Sequence, residues 1–301
     1  MFQLRYGYFI SGILTGLVVL VQFLGTLTDR NIKIVHCSVG QGDASYVRFP
    51  DGRDMVIDGG PNDAVISCLS KYMPFWDRHI DIVLLTHPQK DHMQGLLTVL
   101  DRYDVGYLVR SDVVNITEGY EKLESIVDRK KIPVKFVTSG DRITVSNATM
   151  TILWPSADQI VRMKPSVASK TSSSGQVLGV PQVGDLNDGS IVFWLQYGTF
   201  DEVFAGDADT RVEKEYLGTP LSNDGIEVLK VPHHGSKTGM SESYLLWLKP
   251  KLGIISVGKN SYGHPADSIL KLLEQAGASI KRTDQAGDVQ IVSDGTNWSV
   301  R

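Results

Sequence analysis

Four apolar, strand-like runs in this chain each end by delivering a histidine or an acid, which narrows the folds open to it. Ile82-Val83-Leu84-Leu85-Thr86 runs into His87-Pro88-Gln89-Lys90-Asp91-His92, and Glu202-Val203-Phe204-Ala205-Gly206 runs into Asp207. Ile226 through Pro232 runs into His233-His234-Gly235-Ser236, and Leu252 through Val257 runs into a loop carrying His264. Buried strands that end in ligand-capable side chains are how a layered fold sets a metal site at one edge of a sheet. The pattern points to metal-dependent hydrolytic chemistry.

Composition sets bounds on that reading. A length of 301 residues suits one large domain or two small ones and is ample for a buried core. The formal net charge of -4 argues against a broadly basic nucleic-acid coat while leaving room for a local groove. Cys37 and Cys68 form no CxxC pattern, which disfavours a thiolate metal site. They read as small buried apolar residues, with a single disulfide as the alternative for a domain outside the cytosol.

No charge occurs between Arg5 and Asp29, and the apolar stretch is long enough to cross a bilayer core of about 30 Å as a helix. Arg5 precedes it, so the positive-inside rule keeps the N-terminus cytoplasmic and exports the rest. Residues 1–30 are thus expected to form an uncleaved membrane anchor, with a cleaved signal peptide or a peripheral helix as rivals. Either of the first two readings makes the domain over residues 31–301 extracytoplasmic.

Beyond that junction strands and helices alternate. Ile32 to His36, Ala44 to Phe49 and Arg53 to Ile57 read as strands, the last two joined by a Pro50-Asp51-Gly52 turn. Helical spacing covers Asp63 to Met73, Met93 to Tyr103 (opening directly behind Asp91-His92), Glu118 to Lys131 and Ser268 to Ala276. Val134 to Val137 and Asp141 to Trp154 are β-rich, and a hairpin around Asp294-Gly295 closes the chain. Pro155 to Asn187 is long and polar, a flexible loop or a lid over substrate. A β-meander followed by βα alternation predicts two packed sheets with helices outside.

The densest chemistry is His87, Asp91 and His92, two imidazoles and a carboxylate suited to zinc, manganese or iron. Of the tandem pair, His234 is the expected ligand, because its neighbour His233 should point the other way. Asp207 is placed to bridge two ions about 3.5–4 Å apart.

In this order, His87-x-Gln89-x-Asp91-His92, Asp207 and His234 resemble the metallo-β-lactamase-fold hydrolases. The likeness narrows to the nuclease-like domain of ComEC-type competence proteins through Val39-Gly40-Gln41-Gly42-Asp43-Ala44, Val56-Ile57-Asp58-Gly59-Gly60 and Asn187-Asp188-Gly189-Ser190. Lys230 through Ser236, Ser256 through Asn260, Tyr262-Gly263-His264-Pro265 and Arg282-Thr283-Asp284 continue it to the C-terminal region. The resemblance implies an α/β fold, an αββα sandwich with its metal site at the common edge of both sheets. It also implies degradation of a DNA strand, single-stranded by expectation, at the cell surface during uptake.

On that reading one or two divalent ions, Zn2+ or Mn2+, sit among His87, Gln89, Asp91, His92, Asp207 and His234. Asp91 or Asp43 orients the attacking water, and His264 stabilises developing charge or protonates the leaving oxygen. Asn187, Ser190, His233, Ser236, Lys90 and Asn260 are the candidates for substrate contact.

The chain departs from the family pattern in three places. Gln89 stands where the wider fold has histidine and the competence group often has aspartate, and Lys90 is a bulky cation beside the expected metal. The mid-chain histidine of many relatives is replaced by a region carrying Asn187, Asp188 and Ser190, which leaves one metal position short of strong ligands. With a single hydrophobic segment, transport is expected to need a separate channel protein. The alternatives are a hydrolase of a small ester, lactone or phosphoester, and a catalytically weak module that grips nucleic acid or a channel.

Overall fold

The computed structural model of the chain describes residues 8–17, 30–164, 184–219, 221 and 225–301. Residues 8–17 form a helix, α1, with exposed apolar side chains. The rest of the expected anchor, and most of the polar stretch from Pro155 to Asn187, lie outside the described residues. Among the described residues no helix is long and apolar enough to cross a membrane.

The first sheet begins with β1 (Ile32–His36), β2 (Ser45–Arg48) and β3 (Asp54–Ile57). It continues with β4 (His79–Leu85), β5 (Asp104–Arg110) and β6 (Val134–Phe136). The second sheet holds β7 (Arg142–Val145), β8 (Ala148–Trp154), β9 (Val192–Tyr197) and β10 (Phe200–Phe204). Its remaining strands are β11 (Val228–Lys230), β12 (Leu252–Ile255) and β13 (Ser279–Arg282). A last hairpin, β14 (Val289–Ser293) and β15 (Trp298–Val300), returns to the first sheet, whose order is β15-β14-β1-β2-β3-β4-β5-β6. The second sheet runs β13-β12-β11-β10-β9-β8-β7.

Each sheet is antiparallel on one side and parallel on the other. Strands β3 to β6 pair in parallel, as do β10 to β13. The carboxyl ends of β3, β4, β10, β11 and β12 consequently meet at one edge of the sandwich, the place where open parallel sheets bind ligands.

Strand periodicity divides the core between layers. Ile32, Ile34, Met55, Ile57 and Leu84 face the other sheet, where Met150, Ile152, Phe193, Leu195 and Ile254 meet them. The alternate residues Val35, Val56 and Val83 pack instead on helices α2 (Ala64–Tyr72), α3 (Lys90–Arg102) and α4 (Glu118–Lys130). Leu229, Val231 and Ile255 of the second sheet are covered by α7 (Glu242–Leu248) and α8 (Asp267–Gln275). Short helices α5 (Ala157–Met163), α6 (Glu213–Tyr216) and α9 (Thr283–Ala286) fill the connections. This is the two-sheet sandwich with outer helices that the sequence predicts.

Three local expectations change. Helix α3 starts at Lys90, three residues earlier than its apolar spacing suggests, so Asp91 and His92 lie on its first turn. The polar stretch after Pro155 opens with α5, because Ser156 caps Gln159 N and Ile160 and Met163 find the core. Cys37 and Cys68 are joined in a disulfide across 31 positions, tying the end of β1 to α2. Burial alone could not separate a thiol pair from a disulfide; the 5.9 Å approach of the two Cα atoms does.

Helix α3 approaches the loop after β3 closely enough to require glycine on both sides. A Cβ on Gly95 would lie 2.0 Å from Gly59 O and 2.5 Å from Asn62 O, both backbone atoms. Gly95 N donates to Gly60 O, and Gly59 N donates to His92 O at 2.6 Å, so this contact seats His92. Gly95→Ala is expected to cost about 1–3 kcal/mol through overpacking, read as a lower midpoint in urea unfolding. A midpoint equal to that of the parent chain would show that the helix can lift off the loop freely.

Candidate metal centre

Five expected side chains converge where the strands end. His87 follows β4 by two residues and is 1% exposed; its Nδ1 lies 3.2 Å from both Ser190 Oγ and Thr86 Oγ1. The Thr86 hydroxyl donates to Asp58 Oδ2 at 2.7 Å, so it is free to accept from His87 Nδ1–H. That tautomer leaves the His87 Nε2 lone pair facing inward without a partner. His92, fully buried, meets Asp58 Oδ2 at 2.8 Å through Nδ1 and turns Nε2 toward Asp207 Oδ1 at 3.0 Å.

Asp207 reaches the cluster through a sharp turn after β10. Gly206 has φ 50°, and a Cβ there would lie 2.3 Å from Ser190 Oγ, the atom that accepts the Asp207 N–H at 2.9 Å. Ser190 thereby holds a histidine and an acid of the cluster at once. The tandem histidines do not continue β11 as an extended strand. His233 and His234 have φ of 48° and 53°, left-handed values that cost non-glycine residues on the order of 1–2 kcal/mol each. That backbone puts His234 Nε2 3.4 Å from Asp91 Oδ2 and 3.6 Å from Asp207 Oδ2. It leaves His233 half-buried on the cleft wall, its Nε2 still 3.8 Å from Asp207 Oδ2.

One ligand atom from each of Asp91, His92, Asp207 and His234 falls within 4.8 Å of the others. The His92 and His234 Nε2 atoms and both Asp207 oxygens are buried, and among the described residues they face chiefly one another and Asp91. Polar atoms left this way are costly unless a further charge joins them, and the donor set suits a divalent cation. Asp43, Asp58 and His92 form a second group within the same reach, but Lys230 and Thr86 already serve those carboxylates.

Electrostatics agree. Burial pushes the His87 pKa down to about 3, keeping it neutral as a ligand must be. Burial acts the same way on His234, yet Asp207 and Asp43 outweigh it and lift the ring to about 10. His92 is likewise raised against burial by Asp207 and Asp58. Burial opposes ionisation of Asp207 and Asp91, but the neighbouring histidines hold both below the usual carboxylate range. The acids that raise these two imidazoles would equally favour a divalent cation among them.

Several predicted residues turn out to support the cluster from behind. Asp43 is 4% exposed, 2.8 Å from Lys230 Nζ and 3.3 Å from His234 Nδ1, which also meets Ser256 O at 3.0 Å. It orients His234 and has no opening toward a substrate water. Gln89 Nε2 donates to Asn187 Oδ1 at 2.6 Å, which ties the two amides together. Ser190 is fully buried, Ser236 bonds Thr238, and Asn260 spends its amide on the backbone of its own loop. These internal bonds engage the candidate substrate contacts Asn187, Ser190, Ser236 and Asn260, of which Asn260 also lines a cleft beside Lys259.

Lys90, His233 and His264 do face the cleft, of about 450 Å³, which Asp91 and the buried His234 also line. His264 Nδ1 has no hydrogen-bonding partner, and burial together with His233 and His234 lowers its pKa. Lys230, Thr86 and the Ser256 carbonyl escaped notice as functional groups. Lys230 carried a signal, a cation in the middle of an apolar strand, that was readable as the partner of a buried acid.

Comparison with known proteins places this geometry. Residues 37–259 match the Metallo-beta-lactamase superfamily. The chain is 28% identical over 297 residues to ComE operon protein 3 of Bacillus subtilis, covering 91% of this chain and 34% of that protein. It is 25% identical over 258 residues to Recombination protein 2 of Haemophilus influenzae, covering 84% of this chain and 28% of that protein. Competence protein ComA of Neisseria gonorrhoeae matches at 32% over 107 residues, 35% of this chain and 16% of that protein. The chain thus spans about a third or less of these relatives. Among solved structures, the metallo-beta-lactamase fold protein YhfI of Bacillus subtilis superposes with a TM-score of 0.52 at 11% identity, over 86% of this chain and 99% of its own. A metallo hydrolase of Ignicoccus hospitalis, Igni18, gives 0.52 at 14% identity, over 86% and 98%. With the family match over most of its length and the sandwich to carry it, this chain belongs to the metallo-beta-lactamase superfamily, in a branch whose curated relatives are competence proteins.

Proposed function

We propose that this chain is an exported, membrane-anchored hydrolase that uses a divalent ion to cleave DNA phosphodiester bonds during DNA uptake. The observation that carries the reading is the cleft over Asp91 and His234. Gln41, Gln89, Lys90, Asp91, His233, His234 and His264 line it together with Pro61 and Tyr262. Pockets for small organic ligands hold few polar groups among apolar side chains; an open cleft dominated by polar side chains and carrying a lysine suits a phosphate backbone. The competence names of the relatives support the link to uptake. The uncharged stretch between Arg5 and Asp29 and the Cys37–Cys68 disulfide support a location outside the cytosol, with the membrane and a channel protein as partners.

Asp91, His92, Asp207 and His234 would hold the ion, with His87 beside them. When bound, a divalent ion supplies Lewis acidity toward a phosphoryl oxygen and acidifies water. Asp91, partly exposed at the cleft floor, orients the attacking water. Lys90 meets a non-bridging phosphate oxygen. An anionic phosphate offsets the depression of the His264 pKa, so His264 can hold the proton that the leaving oxygen takes.

A single ion fits these residues better than two. His87 Nε2 faces the cluster, but Gln89 and Asn187 are engaged with each other, so a second position lacks strong donors. The same amide pair favours the second reading, a module that grips DNA without turnover.

Three outcomes follow. Elemental analysis is expected to give one tightly held ion per chain, and Gln89→His to add a second equivalent beside His87; two ions in the parent chain would refute the single-ion reading. Because an incoming ion must displace protons from His92 and His234, affinity is expected to rise about tenfold per pH unit for each proton displaced. Calorimetry in buffers of different ionisation enthalpy measures that release; pH-independent affinity would contradict the geometry. Finally, the full chain is expected to cleave labelled DNA with Mn2+ or Zn2+, EDTA to stop it, and Asp207→Ala to abolish it. A folded, metal-loaded chain that binds DNA without cutting would move the assignment to the gripping module.

A further inference from the structure

Beside the metal cleft, the loop between β12 and α8 presents Tyr262 at 74% exposure. Nothing in its sequence neighbourhood forces that position to be aromatic, and a bare phenol ring gains no packing energy in water. The loop beneath it is nonetheless held firmly. Asn260 Nδ2 donates to Gly258 O at 2.9 Å and to His264 O at 2.8 Å, while its Oδ1 accepts from Tyr262 N at 3.0 Å and His264 N at 3.1 Å. Gly258 N donates to Gln41 Oε1 at 3.3 Å, and a Cβ on Gly258 would lie 2.4 Å from the Gly40 carbonyl carbon. The exposed ring therefore stands on a braced mount.

Tyr262 also separates two concavities. On one side is the cleft of about 450 Å³ over Asp91 and His234, and on the other a cleft of about 430 Å³ lined by Lys259, Asn260 and Ser261. Both share Tyr262 and Gln41 as walls. Rings mark the path between them, with His233 5.5 Å from His264 and His264 5.7 Å from Tyr262.

We infer that Tyr262 is a stacking platform for the nucleobase next to the scissile phosphodiester, and that the strand continues over it into the Lys259 cleft. The substrate is then a single-stranded nucleic acid long enough to fill both clefts. This rests on the nuclease reading of the metal centre and adds to it a specificity-determining residue. The physical reason is that a single strand offers free base faces to an aromatic ring. In a duplex those faces are already stacked, and exposing one means unstacking first. Lys259, exposed at the far cleft, takes the next phosphate without reading sequence.

The test uses the full chain loaded with Mn2+ and three substrates: a single-stranded oligonucleotide, the same strand with abasic positions, and its duplex. Tyr262→Ala is expected to raise KM for the single strand roughly five- to hundredfold with kcat little changed. Tyr262→Phe should restore the parent KM, since stacking needs the ring and not the hydroxyl. On the abasic strand the parent should already show the raised KM, and Tyr262→Ala should add nothing further. Bound metal per chain should be unchanged in both variants, which separates stacking from collapse of the loop. If the parent cuts DNA but Tyr262→Ala keeps its KM, or raises it equally on the abasic strand, the platform is refuted while the nuclease stands. If the metal-loaded parent cuts none of the three, the nuclease reading falls and takes the platform with it.

Discussion

The buried carboxyl of Asp58 is the tie on which the functional edge of this molecule depends. It accepts from Thr86 N at 2.8 Å and Thr86 Oγ1 at 2.7 Å, and it meets His92 Nδ1 at 2.8 Å. Three elements, the ends of β3 and β4 and the first turn of α3, are joined through one side chain. Its backbone stands at φ 55°, a conformation tolerated by aspartate better than by most residues. Without that carboxylate, His92 would lose its orientation and Thr86 its direction toward His87. Outer hydrogen bonds of this sort are what fix the tautomer and aim of a ligating histidine.

A second constraint is charge. Asp43, Asp58, Asp91 and Asp207 crowd one edge of a sandwich whose interior is mainly apolar, with a buried His36–Glu202 pair within it. Lys230 pairs with Asp43, and His92 and His234 lie against Asp207. The packing of three apolar layers holds these acids together. Left-handed backbone at two consecutive histidines belongs to the same account, since only a rigid frame holds such residues in place.

The similarities sort fold from site. Solved relatives at 11% and 14% identity share the sandwich over most of this chain, so layer packing survives where few residues are common. At the site itself the Gln89 amide meets that of Asn187 at 2.6 Å, so a half-buried polar group finds its partner within the protein.

Much of this was legible from residues alone. Apolar runs that end in His87, Asp207 and His234 located the strands and the edge they share, because strand burial and strand direction are written in local pattern. The convergence of Asp91, His92, Asp207 and His234 followed from that order. Strand β5 and helix α7 were not singled out, since short apolar runs of that length read equally well as either element. That Asp43 meets Lys230, and that Asn260 braces its own loop backbone, is not legible in the residues alone. Sequence by itself determined which residue types could bind a cation and which faces would be buried, as these depend on chemistry and local period. Only the tertiary structure decided which polar groups meet each other and which remain for a substrate. Lys230 and Asp43 stand 187 positions apart, and Gln89 and Asn187 98, and contacts at such separations are set by how the two sheets close on one another.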